Sequence, residues 1–270
     1  MHRAAHQILD RPRVFDDPVA LAIVGPDASE LIRTDAQRYH SLRGRRLRAF
    51  MVARSRYAED ELANAIERGA TQYVILGAGL DTFTCRNPHR DRALRVFEVD
   101  HPATQAWKRR RIEEAGISIP DSAAFVPVDF EKQSLAAELE RAGFQRTEIT
   151  FFSWLGVVPY LTLEAAMSTL QFIASLPPGS AVAFDYAVDR NSLSPLEQAA
   201  LDDMASRVAR AGEPFRLFFQ PATLHESLRD LGFREIEDLG APEIHARYFS
   251  GRSDGLGLRA GAGHLIRARI

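Results

Sequence analysis

The sequence predicts an α/β fold organised around a mostly parallel sheet, and three observations predict it. From Gln72 onward, short apolar runs alternate with helical stretches, the pattern of strands joined by crossover helices. The first strand candidate ends in a Gly-x-Gly turn, as strands do where an open parallel sheet binds a ligand. The chain has 270 residues, 46% of them hydrophobic, which is enough for the core of one large domain.

The first third, residues 1–70, reads as helical. Asp17-Pro18 has the form of an N-cap followed by a first-turn proline. Leu42 to Arg68 carries apolar residues at helical spacing and stops at Gly69. Strands are expected at Tyr73–Leu76, Arg95–Val99, Ala124–Val128, Ile149–Trp154, Ala181–Tyr186, Arg234–Asp238 and His264–Arg269. Helices are expected between them at Pro102–Ala115, Glu131–Ala142, Leu163–Ala174 and Ala222–Leu231. Residues 71–188 and 221–270 thus form the sheet core of a single domain spanning 1–270. Residues 189–220 are too many for a turn. Ser194-Pro195 opens a helix to about Ala211, and Phe215–Phe219 follows, so this segment is expected to cap the ligand crevice.

Composition narrows the function. The formal charge is -2, so no bulk basic field exists to hold nucleic acid. The basic clusters Arg43–Arg48 and Lys108–Arg111 fit solvated helix faces. Cys85 is the single cysteine, which excludes an internal disulfide and a cysteine-rich metal site. No paired histidines occur at metalloprotease spacing, and no metal is expected. No secretory h-region is visible, and no apolar run reaches the ~18–20 residues of a membrane span. The cytoplasm is the expected location, and a small molecule is the expected partner.

The chemistry starts at the first strand. In Val74-Ile75-Leu76-Gly77-Ala78-Gly79-Leu80-Asp81, Gly77 allows a sharp turn and Gly79 a close approach of backbone to ligand. A dinucleotide fingerprint needs a third glycine three residues on, and Thr82 stands there. About twenty residues later comes Phe97-Glu98-Val99-Asp100, an acidic strand end suited to ribose hydroxyls. Glu98 is assigned to the opposite strand face, which leaves Asp100 as the contact. Asp100 also suits the N-cap of the helix at Pro102. The third strand ends at Asp129-Phe130, where an acid can accept the adenine amine. Asp129 alternatively caps the following helix. A Rossmann-like sheet binding an adenosine moiety follows from these three strand tips.

Five stretches together resemble the leucine carboxyl methyltransferase family: ARSRYAEDEL (53–62), YVILGAGLDTFTCR (73–86), FEVDHPATQAWK (97–108), FVPVDF (125–130) and FFSWLGVVPYLT (151–162). The last stretch, with FDY (184–186), resembles the bacterial small-molecule branch. The resemblance implies a class I methyltransferase sheet of seven mostly parallel strands, with N-terminal helices, a helical cap insertion and S-adenosyl-L-methionine as donor. It also implies that Arg54 pairs with the donor carboxylate and that Gly77 lines its methionine and ribose portion, beside the close approach that Gly79 allows. Asp100 would bind the ribose, and Asp129 with Phe130 would hold the adenine. Many members carry a glutamate where Leu155 stands here, and no basic N-terminal residue aligns, although His6 and Arg13 lie near the expected place.

An O-methyltransferase acting on the carboxyl or hydroxyl of a small apolar, polyketide-like metabolite is the leading expectation. A nicotinamide-dependent oxidoreductase and a donor-binding protein without turnover are the alternatives. Tyr160, Asp185, Tyr186 and Phe218 are the candidate acceptor contacts, with Phe219, Arg247 and Tyr248 behind them. No catalytic base is named. His101 and His225 show no acidic partner and are expected to be structural.

Overall fold

The computed structural model describes residues 1–129 and 132–270. Seven strands pair into one sheet among them: β1 (Gln72–Leu76), β2 (Arg95–Asp100), β3 (Ala123–Pro127), β4 (Thr150–Trp154), β5 (Ala181–Ala187), β6 (Glu235–Leu239) and β7 (Gly263–Arg269). Their order is β3-β2-β1-β4-β5-β7-β6, parallel throughout except that β7 runs antiparallel to both neighbours. The order reverses between β1 and β4, so the crevice lies at the C-terminal tips of those two strands.

Alternation along each strand feeds two cores, as in any sheet covered on both sides. Val74, Leu76, Phe97, Val99, Phe152, Trp154, Val182 and Phe184 face helices Leu135–Arg141, Leu163–Ala174 and Pro221–Asp230. Tyr73, Ile75, Val96, Phe151, Ala181 and Ala183 face the long helix Leu42–Glu67. Ser41 caps that helix by accepting the Gly44 N–H at 3.0 Å.

Several local expectations change. The helix expected from Glu131 begins at Leu135, because Ser134 is the N-cap and accepts from Ala137. The helix expected from Asp17-Pro18 begins at Val19; the Asp17 carboxylate is fully buried and accepts the Thr82 hydroxyl instead of capping. A helix not expected, Ala241–Tyr248, sits between β6 and β7. The two basic clusters are not wholly solvated. Arg48 is 1% exposed, gripping Asp10 at 2.6 and 2.9 Å. Lys108 is equally buried against Glu98.

Residues 189–220 fold back over the tips of β4 and β5. A helix, Pro195–Arg210, is opened by a capping box between Ser194 and Glu197. The return strand is tied down by backbone bonds from Arg216 and Leu217 to the Pro159 carbonyl, and from Phe219 to that of Ala187. No helix among the described residues is long and apolar enough to cross a membrane.

Candidate functional site

A cavity of about 350 Å³ opens at the tip of β1, on the long-helix side of the sheet. Its floor is Gly77, Ala78 and Gly79; its walls are Met51 and Arg54 of the long helix, Leu155 after β4, and Arg3 and Asp81. The tip of β1 turns because the N–H groups of Gly77 and Ala78 both donate to the Val99 carbonyl, at 2.9 and 3.0 Å. Gly77 has φ +66°, and a Cβ there would overlap Val157 Cγ2. Gly79 has φ +47°, and a Cβ there would meet nothing nearer than the Gly77 carbonyl at 4.0 Å. The space beside Gly79 is therefore open cradle, which a side chain would fill.

Asp100, at the end of β2, joins this cradle by accepting the Gly79 N–H at 2.5 Å and the His101 N–H at 2.7 Å. It does not cap the next helix. His101 does, through Nδ1 and the Ala103 N–H at 3.3 Å. Glu98 proves to lie on the same face as Asp100, since residues two apart on a strand point the same way. It stays away from the cradle because Lys108 and the Thr84 hydroxyl hold its carboxylate beneath the strand.

Asp129 follows β3, and the described helix that comes next is capped by Ser134; the Asp129 carboxylate meets the Lys132 ammonium at 2.8 Å. Phe130 lies outside the described residues. A second, more apolar cavity of about 290 Å³ opens nearby, between Ser134, Trp154, Val157, Leu161 and Phe172. Val157 packs on Gly77 and lines this second cavity, so it partitions the crevice into two chambers.

Arg54 reaches across the first chamber from the middle of the long helix. Its Nη1 donates to Asp185 Oδ2 at 3.1 Å, and Asp185 Oδ1 accepts the Gly156 N–H at 2.5 Å. Tyr160 is half-buried and close enough to Arg54 and Asp185 to respond to their charges. Burial, with help from Glu213, pushes its phenol above the ordinary range. Phe215 packs on Tyr160 at 5.3 Å between ring centres, and Phe218 lies edge-on to Phe215 at 6.2 Å.

Other expected contacts fall elsewhere. Tyr186 does not line the chamber: it alternates with Asp185 and points to the opposite face, donating to Asp238 at 2.7 Å. Phe219 is core beside Tyr186. Arg247 pairs with Glu237 and Glu61, and Tyr248 donates to Asp60, all on the long-helix flank. His225 does have an acidic partner, Asp238, at 2.8 Å. His6 is buried against Asp10, and Arg13 meets Asp16 at 2.6 Å.

The basic N-terminal residue at the cradle is Arg3. It donates to Asp81 at 3.1 Å and to the Leu80 carbonyl at 2.5 Å. Burial opposes ionisation of Asp81, but Arg3, Lys108 and Arg86 outweigh it and hold the carboxyl below the usual range.

The family model for leucine carboxyl methyltransferases matches residues 1–174. A Bacillus subtilis protein, whose name provisionally assigns it to the S-adenosyl-L-methionine-dependent methyltransferases, is 34% identical over 275 residues, covering 94% of this chain and 90% of that one. A protein of Parafrankia sp. (strain EAN1pec) with the same designation is 35% identical over 182 residues, covering 66% of this chain and 58% of its own length. Among solved structures, a DUF574 family protein from Streptomyces avermitilis superposes with a TM-score of 0.59 at 19% identity, covering 92% of this chain and 94% of that one. The S-adenosylmethionine-dependent methyltransferase SibL, in its apo form, gives 0.50 at 18% identity over 91% of this chain and 60% of its own. The two structural likenesses are likenesses of fold.

Proposed function

On the premise that this chain belongs to the leucine carboxyl methyltransferase family and is an S-adenosylmethionine-dependent methyltransferase of class I fold, we propose that it methylates an oxygen of a small, apolar, polyketide-like metabolite. The observation that carries this reading is the aromatic trio in which Phe215 and Phe218 of the cap segment pack beside Tyr160, itself within reach of the Arg54 charge. Flat rings packed at centroid spacings of 5.3 and 6.2 Å suit a planar apolar acceptor. Leu155 adds an apolar side chain to the chamber that Arg54 lines.

When bound, the donor supplies an electrophilic methyl on a sulfonium whose departure leaves a neutral thioether. The residues present fit that group: an open cradle at Gly79, a cation at Arg54 and a strand-end acid at Asp100. In this proposal Arg54 binds the donor carboxylate, in a geometry that suits a guanidinium. Gly77 and Gly79 keep the cradle open. Asp100 takes the ribose hydroxyls, and Asp129 with Phe130 takes the adenine. The protein's remaining task is to align the acceptor and exclude water. A carboxylate acceptor needs no base, because it is already ionised at neutral pH. The Tyr160 phenol keeps its proton at neutral pH and serves to orient the acceptor.

The test is release of S-adenosylhomocysteine against a panel of carboxylic acids and phenols, with calorimetry alongside. The expected result is turnover of apolar aromatic members and heat on titration with S-adenosylhomocysteine but not with NAD. Silence across the panel with the donor tightly bound defeats the acceptor class.

A further inference from the structure

Three separate elements converge on the Arg54 guanidinium. The long helix supplies the arginine, β5 supplies Asp185, and the turn after β4 supplies Gly156. Asp185 is only 4% exposed, and its two oxygens are divided between the other two partners. Gly156, at φ +74°, has no side chain, and a Cβ there would stand 2.7 Å from Nη2 and 2.8 Å from Nη1. The guanidinium can lie flat against that turn only because the residue is glycine.

We infer that Asp185 is a positioning residue: it locks the Arg54 guanidinium, through one N–H, in the orientation that presents the others to the donor carboxylate. A guanidinium has five N–H donors in a fixed fork. Among the described residues, Asp185 accepts one of them and no second acceptor is engaged. Arg54 lines the chamber, and the other N–H groups of its fork are left for a ligand there. The Gly156 N–H fixes the carboxylate in turn, so the orientation passes from the β4 turn to Asp185 and then to Arg54. A long flexible side chain held this way loses less freedom when the ligand arrives. The inference rests on the assignment of Arg54 to the donor carboxylate.

The experiment is calorimetric titration of the full chain and its variants Asp185→Asn, Arg54→Met and the double variant. Two probes are used: S-adenosylhomocysteine, and 5′-methylthioadenosine, which lacks the amino-acid end. Asp185→Asn is expected to weaken S-adenosylhomocysteine roughly tenfold, the worth of one hydrogen bond to a charged group. Binding of 5′-methylthioadenosine should change by less than about twofold, and adding Asp185→Asn to Arg54→Met should cost little more. Equal loss for both probes makes Asp185 a merely structural residue and overturns the inference. Tighter S-adenosylhomocysteine binding in Asp185→Asn overturns it as well, because Asp185 would then compete with the donor for Arg54. If Arg54→Met leaves S-adenosylhomocysteine unaffected, the assignment of Arg54 itself fails.

Discussion

The turn at Gly77–Asp81 and the segment 189–220 lie beyond different strands of one sheet, β1 for the first and β4 and β5 for the second, and different forces hold them. Behind the first lies a web of buried charge. Arg3 spans Asp81 and Asp17, Arg86 spans Glu59 and Asp17, Thr82 donates to Asp17, and Lys108 sits on Glu98. Behind the second are backbone bonds, the buried Leu217 and Phe219, one buried side chain in the Pro195–Arg210 helix, Leu201, and exposed pairs such as Arg190–Asp202 and Arg43–Asp203. Buried pairs are unforgiving of the loss of one partner, whereas exposed pairs contribute little. The Gly77–Asp81 side is thus built to hold one shape, and the 189–220 side has fewer interactions that fix its details.

The contrast is easiest to break at Lys108. Lys108→Met leaves the buried Glu98 carboxyl without its counter-ion, and should cost about 3–5 kcal/mol in urea unfolding. The double change with Glu98→Leu should recover most of it, and a single-variant loss below about 1 kcal/mol would remove buried charge as the explanation. Next in size is Gly77→Ala. Left-handed strain and overlap with Val157 together predict about 2–4 kcal/mol, read from the same melts, with donor affinity falling in parallel. Asp100→Ala should weaken S-adenosylhomocysteine by about 1.5–3 kcal/mol in calorimetry, and unchanged affinity would refute its role at the ribose.

A pH series sharpens the comparison. Burial would raise the Asp10 carboxyl, but hydrogen bonds from His6 and Arg48 outweigh it and hold the group down to about 2. The folded value lies below the unfolded one. The corresponding stability, about 2 kcal/mol, is present above pH 4 and is lost as the pH falls towards 2. Asp10→Asn should flatten that part of the stability curve. The smallest effect belongs to the cap: Asp203→Asn should alter stability by no more than about 0.5 kcal/mol and leave donor affinity untouched.

All seven strands were legible in the sequence to within a residue or two, because their apolar runs and the acids and glycines at their tips are local signals. Gly77, Gly79 and Asp100 were legible for the same reason, and the structure brings them together. The interactions that join distant segments were not. Arg3 and Asp81 are 78 residues apart, and Arg54 and Asp185 are 131 apart. No local spacing encodes such pairs. Two errors were avoidable from alternation alone: Glu98 and Asp100 must share a face, while Asp185 and Tyr186 must not. The burial of Arg48 and Lys108 was masked by neighbouring arginines that do sit in solvent.

The antiparallel course of β7 has a practical corollary. Arg269 pairs with Ala181, at the start of β5, and the Ile270 N–H donates to the Ser180 carbonyl. The chain therefore reaches Ile270 at the rim of the sheet remote from the crevice, about 20 Å away along a seven-residue strand. A fluorophore or immobilisation handle attached there would report on ligand capture without obstructing it.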